Sequence, residues 1–293
     1  MTIKIGECNL SRPSWLEVNV LKRASKPVVI ITGVSGGIGL ATAKHFSAHG
    51  WIVVGTVRGR VRSAALRGQQ FDLQFADMLK PRDLERVVGN AWRTYGRLDV
   101  LVCNAGYGLV GPIDSFDYAQ MNEQLIVNTL APAELIRQTV PLMRRQGAGV
   151  IVGISSILGR IGLPGYSQYA ASKFALEGMF ESLAIELESS GIRMKIVEPS
   201  GVNTGFWSGL RYGSSRITSA SGVGEQIDKV YGAGAVNHGL SADTVAATIF
   251  RAATSKNSRL HYPLGQTRYF GYARRLLPEY LMLRLLRRIV TGN

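Results

Sequence analysis

Tyr169-Ala170-Ala171-Ser172-Lys173 sets a phenol and an ammonium four residues apart, which on a helix puts both on one face. A tyrosine titrates at about 10 in water and is a poor base at neutral pH. A nearby cation favours the phenolate and draws that value down, so such a pair can pass a proton to or from a bound oxygen. The same spacing is common on exposed helices that catalyse nothing, and the pair gains meaning only from its surroundings.

Upstream, the apolar run Val28 to Ile31 leads straight into Thr32-Gly33-Val34-Ser35-Gly36-Gly37-Ile38-Gly39, after which helical periodicity begins. Gly33, Gly37 and Gly39, with Ser35 and Ile38 between them, suit a tight turn whose backbone approaches a pyrophosphate seated on a helix N-terminus. The plain alternative is an ordinary glycine-rich strand-to-helix turn. At the end of the next strand-like run, where a carboxylate would accept from the ribose hydroxyls of NAD, Val57 and Arg58 stand instead, and no acid follows before Asp72. Arg58, Arg60 and Arg62 are placed to pair with a 2′-phosphate. This favours NADP(H), with NAD(H) as the alternative and a solvated surface arginine as the bland reading of Arg58. Asp77 and Met78 close the third strand-like run; the Asp77 carboxylate suits an adenine amino group or, equally, a helix cap near Pro81.

These residues need a scaffold that brings them together. Short β-branched runs at Val28 to Thr32, Ile52 to Val57, Phe71 to Ala76, Leu98 to Cys103, Val150 to Ser155 and Arg193 to Val197 alternate with helical stretches such as Ile38 to Ala48, Tyr118 to Arg145 and Ala170 to Glu188. The alternation predicts an α/β fold, a doubly wound parallel sheet (Rossmann fold) with helices on both faces. Residues 1–26 read as an extension, 27–265 as the dinucleotide-binding body and 266–293 as a basic amphipathic tail.

The motifs resemble those of the short-chain dehydrogenases/reductases in their compact single-domain form. Between Val28 and Phe206, Thr32 to Gly39 resembles the family's TGxxxGxG turn and Asn104-Ala105-Gly106 its NAG motif. Asn128 matches its helix asparagine, Ser155-Ser156 its serine, Tyr169 and Lys173 its YxxxK pair, and Glu198-Pro199-Ser200-Gly201-Val202-Asn203-Thr204 its PGxxxT segment. The resemblance implies a tetrad of Asn128, Ser156, Tyr169 and Lys173. Ser156 is chosen over Ser155 because it lies thirteen residues before Tyr169, the family interval. By the same resemblance, Asn104, Ala105, Gly106, Pro199, Gly201, Val202 and Thr204 join the cofactor contacts. Hydride would pass between nicotinamide C4 and a carbonyl carbon while Tyr169 protonates the oxygen. Ser156 would hold that oxygen, Lys173 would bind the nicotinamide ribose and lower the Tyr169 pKa, and Asn128 would hold a water that returns protons. The chain departs from the pattern in reading Pro-Ser-Gly where the family reads Pro-Gly.

Composition narrows the rest. Hydrophobic residues make up 46% and charged residues 18% of the 293, enough apolar surface for a large core. The formal charge is +14, and nine Lys or Arg and a single acid, Glu279, lie from Arg251 onward, so more than half of the excess sits in the last segment. From Pro278 the tail reads as a helix with Met282, Leu285, Leu286 and Ile289 on one face and Arg284, Arg287 and Arg288 on another. It suits packing on the body, a dimer partner or an anionic membrane surface; no nucleic-acid recognition motif accompanies it. Cys8 and Cys103 are too few for a disulfide framework, and Cys103 reads as a buried strand residue. With Lys4 and Glu7 where an apolar leader would lie, the expectation is a cytoplasmic protein, with peripheral membrane contact open. His45 and His49 could chelate a metal, though a helix end before Gly50 accounts for them and no metal is expected. Tyr107, Leu109, Phe206, Trp207, Leu210 and Tyr212 suggest an apolar pocket under a lid at about 205–240. That pocket and the flanking sequence resemble members acting on steroids, retinoids or fatty-chain ketones, and the family implies a homodimer or homotetramer. A non-catalytic dinucleotide sensor, or a membrane-surface interaction protein on the same fold, are the competing classes.

Overall fold

The computed structural model describes residues 23–59, 66–214 and 239–291. The expectations for residues 1–22, for Arg60 and Arg62, and for 215–238 of the lid lie outside the described residues. The elements are β1 (Val28–Ile31), α1 (Gly37–Ala48), β2 (Ile52–Val57), β3 (Asp72–Phe75), α2 (Pro81–Tyr95), β4 (Val100–Cys103), β5 (Leu109–Val110) and α3 (Tyr118–Leu125). After a π-helical turn at Ile126–Leu130 come α4 (Ala131–Gln146), β6 (Gly149–Ile154), α5 (Ser167–Glu186), β7 (Ile192–Glu198), β8 (Val202–Asn203) and β9 (Arg211–Tyr212). The last elements are β10 (Leu240–Ser241), α6 (Ala242–Thr254), β11 (His261–Pro263), α7 (Thr267–Leu276) and α8 (Glu279–Thr291).

Seven strands form one parallel sheet in the order β11-β7-β6-β4-β1-β2-β3. This is the doubly wound α/β fold read from the alternation. The strands read as continuous apolar runs because both faces are covered. Successive residues point to opposite sides: Val28, Ile30, Leu101 and Ile151 pack with α2, α4 and α5, while Val29, Ile31, Val102 and Val152 pack with α1 and α6. The order reverses beside β1, so the carboxyl ends of β1 and β4 open a crevice at the switch point. The motif residues of both strands sit there.

One local prediction changes. The stretch Tyr118 to Arg145 is not one helix, because the π-helical turn at Ile126–Leu130 interrupts it and carries Asn128; such bulges often sit at functional positions. The edge strand β11 begins at His261, and the Arg259 guanidinium just before it donates to His261 O. Ser241 caps α6, its hydroxyl accepting from Thr244 N. His49 sits at the end of α1 with its ring stacked on His45 and against Phe250.

Candidate active site

The crevice is built from backbone outward. Gly33 and Val34 donate their N–H groups to Thr56 O at 3.1 and 2.9 Å, tying the glycine turn to β2. The Thr32 hydroxyl accepts from the Asn104 and Ala105 N–H groups, both at 2.9 Å, and Asn104 Nδ2 donates to Thr32 O at 2.8 Å. A Cβ on Gly39 would lie 2.1 Å from Gly33 O and 2.5 Å from Asn104 Nδ2, so only glycine lets α1 start this close to the turn. Gly37 has φ +54, a left-handed conformation natural to glycine. No side chain caps α1 and its first turn holds no acid, which leaves an N-terminus suited to an anion.

From this turn a cavity of about 530 Å³ runs to α5. It is lined by Gly33, Ser35, Gly37, Ile38, Gly39, Arg58, Asp77, Met78, Asn104, Ala105, Gly106, Ser156, Tyr169, Lys173, Pro199, Gly201, Val202 and Thr204. An uncapped helix start, a glycine cradle and a guanidinium at one end, with a phenol and an ammonium at the other, fit a nicotinamide dinucleotide. Of the tetrad, Asn128 alone does not line the cavity. It is buried, accepts from Tyr107 N at 3.2 Å and donates to Tyr107 O and Ser172 Oγ at 3.0 Å each. In this structure it braces the loop after Gly106.

Asp77 is not a helix cap; Lys80 takes that place on α2. The Asp77 carboxylate accepts from Leu79 N at 3.1 Å while the residue lines the cavity. Leu109, Leu210 and Tyr212 do not line it: Leu109 is fully buried in β5, Leu210 leans over Gly108, and Tyr212 is exposed. The Pro-Ser-Gly departure is accommodated, with Ser200 N donating to Leu264 O at 3.3 Å.

The two adjacent serines have separate tasks. Ser156 faces the same cavity as Tyr169 and accepts from Leu158 N at 3.2 Å, whereas Ser155 donates to Glu177 Oε1 at 2.5 Å. Burial pushes the Tyr169 phenol up to about 12, and the Ser156 hydroxyl opposes this. Burial also brings Lys173 down to about 8, opposed by Glu177. The expected lowering of Tyr169 by Lys173 is therefore not found. Lys173 Nζ sits 5.7 Å from the ring centre and donates to Ile154 O at 2.8 Å, and burial is the largest influence on the phenol. Cys103 behaves as a buried strand thiol, pushed up to about 12 by burial.

Behind α5 lies a charged cluster that the sequence reading did not single out. Arg160 holds Glu177 Oε2 at 2.8 Å and Glu198 Oε1 at 2.5 Å, and His261 Nδ1 lies 3.2 Å from Glu198. Burial and Glu198 push the Glu177 carboxyl well above its ordinary range. Glu177 stands four residues after Lys173, a signal that spacing could have offered; nothing in sequence brings His261 to it. The carboxylates and imidazole lie within 4.8 Å of one another, but the guanidinium reaches both carboxylates and supplies their countercharge. At the other wall, Arg211 pairs with Glu123 at 2.7 Å and lies 4.4 Å above the Tyr107 ring.

Residues 27–213 match the family model for short chain dehydrogenase. The chain belongs to that family. It is 34% identical over 185 residues to 3-ketodihydrosphingosine reductase of Bacteroides thetaiotaomicron, covering 61% of this chain and 65% of the relative. It is 37% identical over 196 residues to human 17-beta-hydroxysteroid dehydrogenase type 1, covering 62% and 58%. The match thus spans about three fifths of these relatives' length. A short-chain dehydrogenase from Streptomyces avermitilis superposes with TM-score 0.76 at 28% identity, over 90% of this chain and 96% of that one. A metagenomic short-chain oxidoreductase solved in complex with NADP superposes with TM-score 0.63 at 26% identity, over 82% and 96%. The short-chain dehydrogenase fold accordingly accounts for the crevice and for the order of the motifs along it.

Proposed function

We propose that the chain is an NADP(H)-dependent oxidoreductase that interconverts a ketone or aldehyde and its alcohol, with a lipophilic substrate. The convergence of Ser156, Tyr169 and Lys173 in one cavity, at the far end from an uncapped helix start, carries the reading. A nicotinamide dinucleotide supplies, when bound, the hydride for the carbonyl carbon. Gly33, Ser35, Gly37, Ile38 and Gly39 would hold its pyrophosphate, Asp77 and Met78 its adenine side, and Asn104, Ala105, Gly106, Pro199, Gly201, Val202 and Thr204 the nicotinamide half. Arg58, at the end of β2 on the cavity wall, would take the 2′-phosphate.

Tyr169 acts as the proton donor in reduction. With its phenol up at about 12, it stays protonated at neutral pH and can give its proton to an oxygen that gains charge. Ser156 orients that oxygen by hydrogen bonding, a pre-set dipole that costs no reorganisation as charge develops. Lys173, at about 8, is still largely an ammonium at neutral pH and adds positive potential beside the phenol. Asn128 ties the Tyr107 loop to Ser172 of α5. Oxidation is the reverse path.

Ile157, Leu158, Tyr166 and Phe206 line the cavity near Tyr169, which supports an apolar substrate. The similarity to a 3-ketodihydrosphingosine reductase and a 17-beta-hydroxysteroid dehydrogenase supports the same reading. We take 27–265 as the working unit and the remainder as tail. The test is NADPH and NADH oxidation against steroid, retinoid and long-chain ketones beside short aldehydes. Turnover favouring NADPH and apolar carbonyls is expected, and no turnover with any class would contradict the reading. For the cofactor, Arg58→Ala should raise KM for NADPH about tenfold or more and barely change that for NADH; equal effects would remove the 2′-phosphate assignment.

A further inference from the structure

Six of the fourteen exposed large apolar residues among the described ones fall between Tyr269 and Leu285: Tyr269, Leu276, Leu277, Tyr280, Leu283 and Leu285. They belong to α7, α8 and the turn between them. The inner side of α8 is satisfied, since Met282 and Leu286 are buried with Ile157, Leu158, Tyr166 and Tyr169. One layer of side chains therefore separates α8 from the cavity wall. The outer side mixes exposed Tyr280 and Leu283 with exposed Arg284, Arg287 and Arg288, and from Thr267 to Thr291 the only acid is Glu279. Neither helix is long and apolar enough to cross a membrane.

We propose that the outer face of α7 and α8 docks on an anionic lipid surface. Helices with apolar residues set among arginines lie in the interface, where the rings and leucines enter the acyl boundary and the arginine stems reach lipid phosphates. Charge chooses this occupant over a second copy of the same face, because two such faces would bring arginine clusters together with almost no acid to offset them. The docked face lies opposite the apolar end of the cavity. The docking itself goes beyond the oxidoreductase reading and does not depend on it.

Vesicle co-sedimentation of the full chain tests this, using phosphatidylcholine alone and phosphatidylcholine with about one third phosphatidylglycerol. The wild type should pellet with the anionic vesicles, remain in solution with the neutral ones, and be released by high salt. Leu276→Glu/Leu283→Glu and Arg284→Glu/Arg288→Glu should each cut anionic binding by about tenfold or more, with unchanged melting temperature because these side chains are exposed. Equal binding by these variants, binding of the wild type to neither vesicle, or a drop in oligomer mass in either variant would overturn the proposal. The readout needs no turnover, so it can fail while the enzyme reading stands, and the reverse.

Discussion

At the scale of single residues, the account rests on burial deciding protonation. Tyr169 and Lys173 move in opposite directions for one reason: each is held in its neutral form by loss of water. Lys173 is charged below about 8 and neutral above it, and Tyr169 stays protonated across that range. kcat/KM for carbonyl reduction should then be level from about pH 6 to pH 7 and fall by about tenfold per unit well above the Lys173 value, as seen in initial rates. Ser156→Ala should lower kcat by about a hundredfold with little change in dinucleotide affinity, measured by fluorescence titration. The Arg160 cluster gives a stability prediction. Removing the guanidinium in Arg160→Met leaves Glu177 and Glu198 buried without a countercharge, at a cost of about 3 kcal/mol near neutral pH. A carboxyl whose folded pKa is raised contributes most below its unfolded pKa and loses that contribution as pH rises through the folded one. The variant's deficit in thermal or urea unfolding should thus narrow on acidification and widen toward and above neutrality.

At the scale of elements, periodicity made the six long strands and most helices legible, because a strand buried on both faces must be apolar and a crossover helix must follow it. The glycine turn was equally legible, since only glycine meets its steric demands. Other features needed the third dimension. The π-helical turn at Asn128 has the same residue types as the helices around it, and the partners of Glu177 come from the loop after β6, the end of β7, and β11. Their sequence separations of 17 to 84 residues follow from sheet order rather than from any local pattern. Spacing put Tyr169 and Lys173 on one face, and both line the cavity; it reports a shared face and not how much water reaches it, and burial dominates the shift of each. Gly39→Ala tests the turn. Its methyl group would collide with Gly33 O and Asn104, so dinucleotide affinity should drop by more than about tenfold and the melting temperature should fall, at a cost of about 3 kcal/mol. Unchanged affinity would mean that the turn does not carry the pyrophosphate.

At the scale of the molecule, charge and exposure divide the surface. More than half of the basic excess lies from Arg251 onward, while Tyr118 of α3, Leu130 of the π-helical turn and Ile185 of α5 are exposed apolar residues elsewhere. The elements bearing them are the expected seam between copies of the chain. Sedimentation should give two or four times the monomer mass, and Ile185→Asp should reduce it; a monomeric wild type would contradict this. In the proposed reaction the remaining parts, from glycine turn to apolar wall, would serve one proton transfer. The most direct test compares wild type and Tyr169→Phe in steady-state NADPH oxidation with the best carbonyl of the panel, alongside NADPH titration of both. The account predicts that Tyr169→Phe loses about a thousandfold in kcat while binding NADPH as tightly as the wild type; turnover within a few fold of wild type would contradict it.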